Sequence, residues 1–212
     1  MNPRYLVIIG PTASGKSSLA LAIAKHLNGE IICADSRTIY RGMDIGTAKP
    51  SFIDRSSVRH WCLDVVNPDE RYTASDFQRD ANLAIQDILG RGKLPIVVGG
   101  SGLYVDGLVF NYQFGSDVDH SLREELNDRS TEELIHMCER RQIKLSSCTQ
   151  NRRYLIRKLE TADEIKLKSD QPQQAYIIGI KVDRAVLKAR INCRIIQMLE
   201  DGLIEETRSL VN

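Results

Sequence analysis

Gly10-Pro11-Thr12-Ala13-Ser14-Gly15-Lys16-Ser17 follows the apolar run Tyr5–Ile9 and precedes a stretch with leucine, isoleucine and leucine at positions 19, 23 and 27. The spacing GxxxxGK[ST], set between a buried strand and an amphipathic helix, wraps backbone N–H groups around a phosphate chain. Lys16 is placed to reach the terminal oxygens, and Ser17 offers a hydroxyl to Mg²⁺. The helix that follows adds the positive end of its dipole. These eight residues decide the fold class: α/β, a P-loop NTPase-like parallel sheet flanked by helices. Whether the phosphates belong to a nucleotide stays open at this point.

Working outward, residues 30–34 read as a short buried strand that delivers Asp35, and residues 61–66 as a third strand. Ser75 with Gln78 predicts a capped helix whose inner face is Phe77, Ala81, Ala84, Ile85, Ile88 and Leu89. Residues 94–99 are a strand that runs into the glycine-rich turn Gly99-Gly100-Ser101-Gly102. Strands alternating with helices imply crossovers and a sheet covered on both faces.

Beyond residue 112 the chain becomes more polar. Ser130 and Glu133 form a capping box ahead of Leu134 and Met137, and residues 151–161 read as a basic helix with Leu155 and Leu159 four apart. A strand then returns over 175–182, and Asp183 caps a long helix carrying Val186, Ile191, Ile195, Met198 and Leu199, which stops at Gly202. The predicted organisation is a discontinuous core domain, 1–112 and 151–212, interrupted by a short helical insertion, 113–150.

The 212 residues, 42% hydrophobic, suffice for a sizeable core, and 29 basic against 28 acidic side chains leave a net charge of only +1. That balance neither demands nor excludes a nucleic-acid partner, since a local basic patch is enough. Five cysteines without a C-x-x-C pair predict reduced thiols rather than zinc ligands or disulfides. The first strand begins too early for a secretory signal ahead of it, and no apolar run reaches the ~18 residues of a membrane span. A cytoplasmic protein is expected.

Several side chains are placed for chemistry. Asp35 leaves the second strand on the edge where the phosphate loop emerges, where open parallel sheets bind ligands. There it can coordinate Mg²⁺, accept a proton or cap a turn. Asp64 competes as a metal-site aspartate. Residues 40–50 form a loop with Arg41 and Lys49 as candidate phosphate partners and Thr47 as a donor; Ser101 and its glycines are a second ligand-approach turn. His60 is a candidate acid, base or phosphate ligand, although a lone histidine is more often a satisfied loop residue.

Taken together, residues 10–17, Asp35-Ser36 with residues 40–50, residues 72–77, residues 99–104, and the run from Arg190 through Leu203 resemble the tRNA dimethylallyltransferases, also called tRNA isopentenyltransferases. The resemblance implies that the loop Gly10 to Ser17 holds the diphosphate of dimethylallyl diphosphate. It implies Mg²⁺ near Ser17, with Lys16 and Arg157 on the diphosphate. Asp35 becomes the general base at the exocyclic amine of the adenosine 3′ to the anticodon, and Ser101 a further member of the catalytic set. Asp35, Ser36, Arg37, Thr38 and Ser101 match positions that contact this nucleotide. Arg123, Arg153, Tyr154, Leu155, Ile156 and Arg157 match positions beside tRNA. The implied partner is a tRNA anticodon stem-loop, met by a monomer. Tyr104 is expected in the prenyl pocket.

Three positions depart from the family pattern: Thr38 stands for a glutamine, Ser101 for a threonine, and Tyr154 for the first basic residue of an Arg-x-x-Arg element. Family members also continue beyond the motif near Gly202, so an exposed last helix is expected here. The alternatives are an adenylate dimethylallyltransferase acting on free AMP, ADP or ATP, a small-molecule kinase that binds ATP, and a non-catalytic RNA-binding relative.

Overall fold

The computed structural model describes residues 4–114, 120–146, 150–161 and 174–211. They form two compact units, 1–112 with 168–212, and 113–167.

The first unit is built on one parallel sheet. β1 (Tyr5–Ile9), β2 (Gly29–Ala34), β3 (His60–Trp61), β4 (Leu94–Gly99) and β5 (Ala175–Gly179) lie in the order β3-β2-β4-β1-β5. β2 is buried along its whole length, as a strand covered on both faces must be. One face carries Ile8, Ile31, Ile96 and Val98 against Ala20 and Ala24 of α1 (Lys16–His26). The other carries Val7, Ile32 and Val97 against α3 (Ala74–Gly90) and α4 (Gly102–Val109). Phe77, Ala81, Ala84, Ile85 and Ile88 recur every three or four residues, which puts them on one stripe of α3. Full burial of Phe77 and Ile88 contributes about 1.5–3 kcal/mol each.

In the first unit the structure corrects four expectations about local structure. α3 is capped two residues earlier than Ser75 and Gln78 suggest. Thr73 is its N-cap and Asp76 its reciprocal partner, while Gln78 donates to the carbonyls of Gly107 and Tyr112. The third strand is two residues, not six, because Cys62 and Asp64 both take left-handed backbone (φ +55°) and turn the chain away. The N–H groups of Asp64 and Val65 then donate to the carbonyls of Thr38 and Ile39 in the loop after β2. β5 ends at Gly179, three residues short of the expected strand. Tyr104, expected in a prenyl pocket, instead stacks on Phe77 with ring centroids 4.6 Å apart, inside the core.

α2 (Phe52–Ser57) follows the loop after β2. α8 (Arg184–Glu200) is capped by Asp183, as expected, and is followed by α9 (Leu203–Ser209). Neither helix contains a buried residue, and Tyr176 on β5, Ile196 on α8 and Ile204 on α9 are exposed.

The second unit contains α5 (His120–Asn127), α6 (Thr131–Arg140) and α7 (Arg152–Glu160). The Ser130–Glu133 capping box starts α6 as the spacing predicts. The expected boundary at residue 150 falls too early. Leu155, Ile156 and Leu159 of α7 are buried against Leu126, Leu134 and Cys138, so the basic helix belongs with the insertion. Cys33, Cys62 and Cys138 are buried free thiols and Cys193 is exposed; Cys148 lies outside the described residues. Among the described residues, no helix is long and apolar enough to cross a membrane.

Candidate active site

Sheet register brings the motif loops together. Ile9 pairs with Gly99, and Gly99 with Ala34, so Gly10, Asp35 and Gly100 leave three adjacent strands at the same edge. The approach is close at Gly99, where a Cβ would lie 1.9 Å from the Ala34 carbonyl oxygen. Only glycine fits there.

The phosphate loop has the expected shape. Ala13 and Gly15 adopt left-handed backbone, φ +62° and +90°, and Gly15 is the N-cap of α1 with no side-chain cap. Such a turn points successive N–H groups inward and leaves the first turn of the helix open to an anion. Ser14 Oγ is buried without a hydrogen-bond partner among the described residues. An orphaned buried hydroxyl costs free energy unless a ligand satisfies it. Lys16 folds back over the loop, donating to the Pro11 carbonyl at 3.2 Å.

A cavity of about 340 Å³ opens beside this loop, within the first unit. Thr12, Lys16 and Ser17 line it from the loop and α1. Asp35, Arg37 and Thr38 line it from the turn after β2, and Ile31, Cys33 and Val98 give it an apolar floor. Lys16 feels both neighbouring charges: burial holds its ammonium below the ordinary lysine range, Asp35 raises it in part, and Arg194 lowers it again. Asp35 and Lys16 thus face one cavity. Asp35 Oδ1 accepts the Arg37 N–H at 2.9 Å, an Asx-type turn that fixes the carboxylate. Ser101 Oγ accepts the Ser36 N–H at 2.9 Å and donates to Ser36 Oγ at 3.3 Å. Thr38 is buried, its hydroxyl against the Asp35 carbonyl at 3.5 Å.

Not every candidate reaches the cavity with its charge available. The Lys49 side chain is 1% exposed, and its Nζ donates to the Tyr40 carbonyl, Asp44 and Asp64 at 2.5–2.7 Å. Asp64 also holds Arg55 at 2.9 Å, and Arg41 is bound to the Val65 carbonyl and Asn67. Lys49 and Arg41 are therefore spent on holding the loop, not on phosphate, and Asp64 is a counter-ion rather than a metal ligand. Thr47 lines the cavity, but its hydroxyl donates to the Met43 carbonyl. His60 lines it too, with Nδ1 2.8 Å from the Val58 carbonyl; burial pushes its pKa down, against a partial rise from that hydrogen bond.

Sequence reasoning missed the far wall. Ile191, Arg194, Ile195 and Met198 of α8 line the cavity, and Arg190 donates to the Ala13 carbonyl at 3.3 Å, tying α8 to the phosphate loop. The available signal was Arg190 and Arg194, four apart and so on one face of α8.

The second unit holds the remaining candidates. Arg123 makes a bidentate pair with Glu160 at 2.6 and 2.8 Å, and Arg157 reaches the same carboxylate at 3.4 Å. The Glu160 side chain is only 4% exposed. Arg153 is exposed, whereas Leu155 and Ile156 are buried. The Tyr154 hydroxyl accepts the Ser146 N–H at 3.0 Å, and Lys158 Nζ lies over its ring.

Comparison with known proteins identifies the family. Residues 38–212 match the family model for IPP transferase. The chain is 41% identical over 214 residues to a tRNA dimethylallyltransferase of Streptococcus pyogenes serotype M6, covering 98% of this chain and 71% of that protein. It is 39% identical over 228 residues to the tRNA dimethylallyltransferase of Oceanobacillus iheyensis, covering 100% and 73%. Among solved structures, the tRNA isopentenylpyrophosphate transferase of Bacillus halodurans superposes with a TM-score of 0.70 at 38% identity, covering 98% of this chain and 70% of that one. A eukaryotic dimethylallyltransferase acting on tRNA superposes at 0.78 and 27% identity, covering 98% and 55%.

Proposed function

This chain belongs to the IPP transferase family of tRNA dimethylallyltransferases, and we propose that its cavity transfers a dimethylallyl group from dimethylallyl diphosphate to the exocyclic amine of the adenosine 3′ to the anticodon in tRNA. The observation that carries the reading is the shared cavity of Asp35 and Lys16, a proton acceptor and an anion site facing one space.

In this reading the diphosphate sits on the N–H groups of residues 12–17, with Lys16 and Arg194 neutralising its oxygens. The orphaned Ser14 hydroxyl supports it, because a phosphate oxygen supplies the missing partner. The adenine amine is a weak nucleophile, its lone pair delocalised into the ring. Asp35, with one oxygen fixed by the Arg37 N–H, accepts a proton from that amine as nitrogen bonds to the allylic carbon. The bond between that carbon and its diphosphate oxygen breaks, and the electron pair leaves with the diphosphate. Ser101 holds the turn that carries Asp35. The apolar floor of Ile31, Cys33 and Val98 suits the prenyl chain and excludes water from an electrophile that hydrolyses readily.

The donor set fits a hard divalent cation held mainly by phosphate oxygens and water. Ser17 lines the cavity, and no group of three or more His, Cys, Asp or Glu among the described residues forms an all-protein cage. Bound there through Ser17, Mg²⁺ would stabilise charge on the departing diphosphate. Arg153 and Tyr154 are the candidate RNA contacts of the second unit.

Incubation with labelled dimethylallyl diphosphate, Mg²⁺ and unmodified tRNA, and separately with free adenine nucleotides, tests the reading. Label in RNA is expected. Label only in nucleotide selects the adenylate acceptor, and release of ADP from ATP selects a kinase. Asp35→Asn should lower turnover by about 10²–10⁴ while leaving donor binding intact.

A further inference from the structure

The loop after β2 is held from outside by one distant side chain. Glu206 Oε2 accepts the N–H groups of Asp44 and Ile45, each at 2.7 Å, and Oε1 accepts that of Gly46 at 2.9 Å. Three consecutive amides converging on one carboxylate form an anion nest, here filled by the protein itself. The fit is close. A Cβ at Gly46 would stand 3.1 Å from Leu203 Cδ1 and 3.4 Å from Glu206 Oε1.

The loop beyond the nest is knitted to itself. Ala48 and Lys49 donate backbone N–H groups to the Ile45 and Asp44 carbonyls at 2.9 and 3.0 Å, and the Asp44 carboxylate pairs with buried Lys49. Moved as a body, it carries Gly46, Thr47, Ala48 and Pro50, which form the cavity wall. None of these four is tied to the phosphate loop by a hydrogen bond among the described residues.

We propose that Glu206 is a positioning residue for the transfer, fixing the Asp44–Gly46 turn and, through it, the wall that orients the acceptor against the bound donor. The proposal rests on the transferase reading above. Transfer needs the reacting nitrogen and carbon held in near-attack geometry, so a loosened wall costs turnover even when both substrates bind. The diphosphate is held separately by residues 10–17, so its affinity is independent of the clasp.

Glu206→Gln keeps the side-chain length but replaces one acceptor oxygen by an amide donor that faces the nest N–H groups. Three measurements on the intact protein are expected to separate. Amide hydrogen exchange at Asp44, Ile45 and Gly46 speeds at least tenfold, while amides of β1 and β4 keep their rates. The kcat for prenyl transfer falls at least tenfold. Inorganic pyrophosphate binds within about twofold of the unaltered protein. Gly46→Ala approaches the same clasp from the other side and should reproduce all three. Unchanged exchange at the three amides overturns the clasp. Accelerated exchange with unchanged kcat overturns its role in transfer, and a fall in pyrophosphate affinity matching the fall in kcat overturns it in favour of general unfolding. An unaltered protein that transfers no prenyl group refutes the transferase reading and with it the role in transfer; the exchange experiment then decides the clasp alone.

Discussion

The Ser101 hydroxyl accepts the backbone N–H of Ser36 across 2.9 Å, joining the turn after β4 to the turn that carries Asp35. Residues 65 apart in sequence thereby act as one rigid edge. Ser101→Ala leaves a half-buried N–H without a protein partner, at about 1–3 kcal/mol. The expected result is a kcat/KM lowered roughly tenfold, while Ser101→Thr retains most activity because it keeps the hydroxyl. Equal kinetics for the alanine and threonine variants would remove Ser101 from the site.

Lys16 gives the cavity a pH dependence of defined sign. Burial holds its pKa below the ordinary 10.5, Asp35 offsetting this in part and Arg194 adding to it. The folded value lies below the unfolded one, so the unfolded chain binds more protons between the two and this group's contribution to stability rises with pH across that window. Anion binding has the opposite trend, since it needs the ammonium. Pyrophosphate affinity should fall as pH rises through a limb below 10.5, and Lys16→Ala should abolish that limb and weaken binding about tenfold or more at neutral pH. Calorimetric titration across pH checks both; a limb that survives in the variant belongs to another group.

At the opposite end of β2, Glu30 is 2% exposed and holds Arg91, Lys93 and the Trp61 Nε1–H at 2.5–2.9 Å. The Arg91 hydrogen bond leads in driving its pKa far below the usual carboxylate range, against a partial rise from burial. A depressed carboxylate stabilises the fold above its unfolded pKa, near 4.5, and loses that contribution as pH falls through the folded value. Glu30→Gln should cost about 3 kcal/mol at neutral pH, read from urea unfolding, and the two proteins should converge in strong acid. A constant gap at all pH values would mean the charge is irrelevant.

In the second unit, Arg123 and Glu160 form a bidentate pair around a nearly buried carboxylate. Arg123→Ala should destabilise this unit by about 3 kcal/mol because it strands a charge, whereas the double change Arg123→Met with Glu160→Leu should cost much less. Urea titration followed by exchange of α5–α7 amides distinguishes the two. Strictly additive single and double changes would show that the pair is not coupled.

Residues 10–17 between an apolar strand and an amphipathic helix were sufficient to read the sheet class, the phosphate loop and the edge where Asp35 and Ser101 emerge. The family could be read because its motifs are contiguous. Boundaries were less legible: the third strand fails at Cys62 and Asp64 because left-handed backbone at non-glycine residues has no signature in side-chain periodicity. Likewise α7 looked like a return to the core, since an apolar stripe shows that a helix is buried but not against what.

Which charges are available was decided only by the tertiary structure. Lys49 and Arg41 in the loop, and Arg123 and Arg157 in the helical unit, have the composition of phosphate or RNA contacts, yet each is engaged by partners in its own unit. Arg194 and Glu206, which the motif reading left without roles, line the cavity and clamp its wall. The sequence determines local conformation because hydrogen bonding and periodicity act over a few residues. The partners of charged side chains depend on distances that exist only once segments up to 177 residues apart, such as those of Ala13 and Arg190, have been folded together.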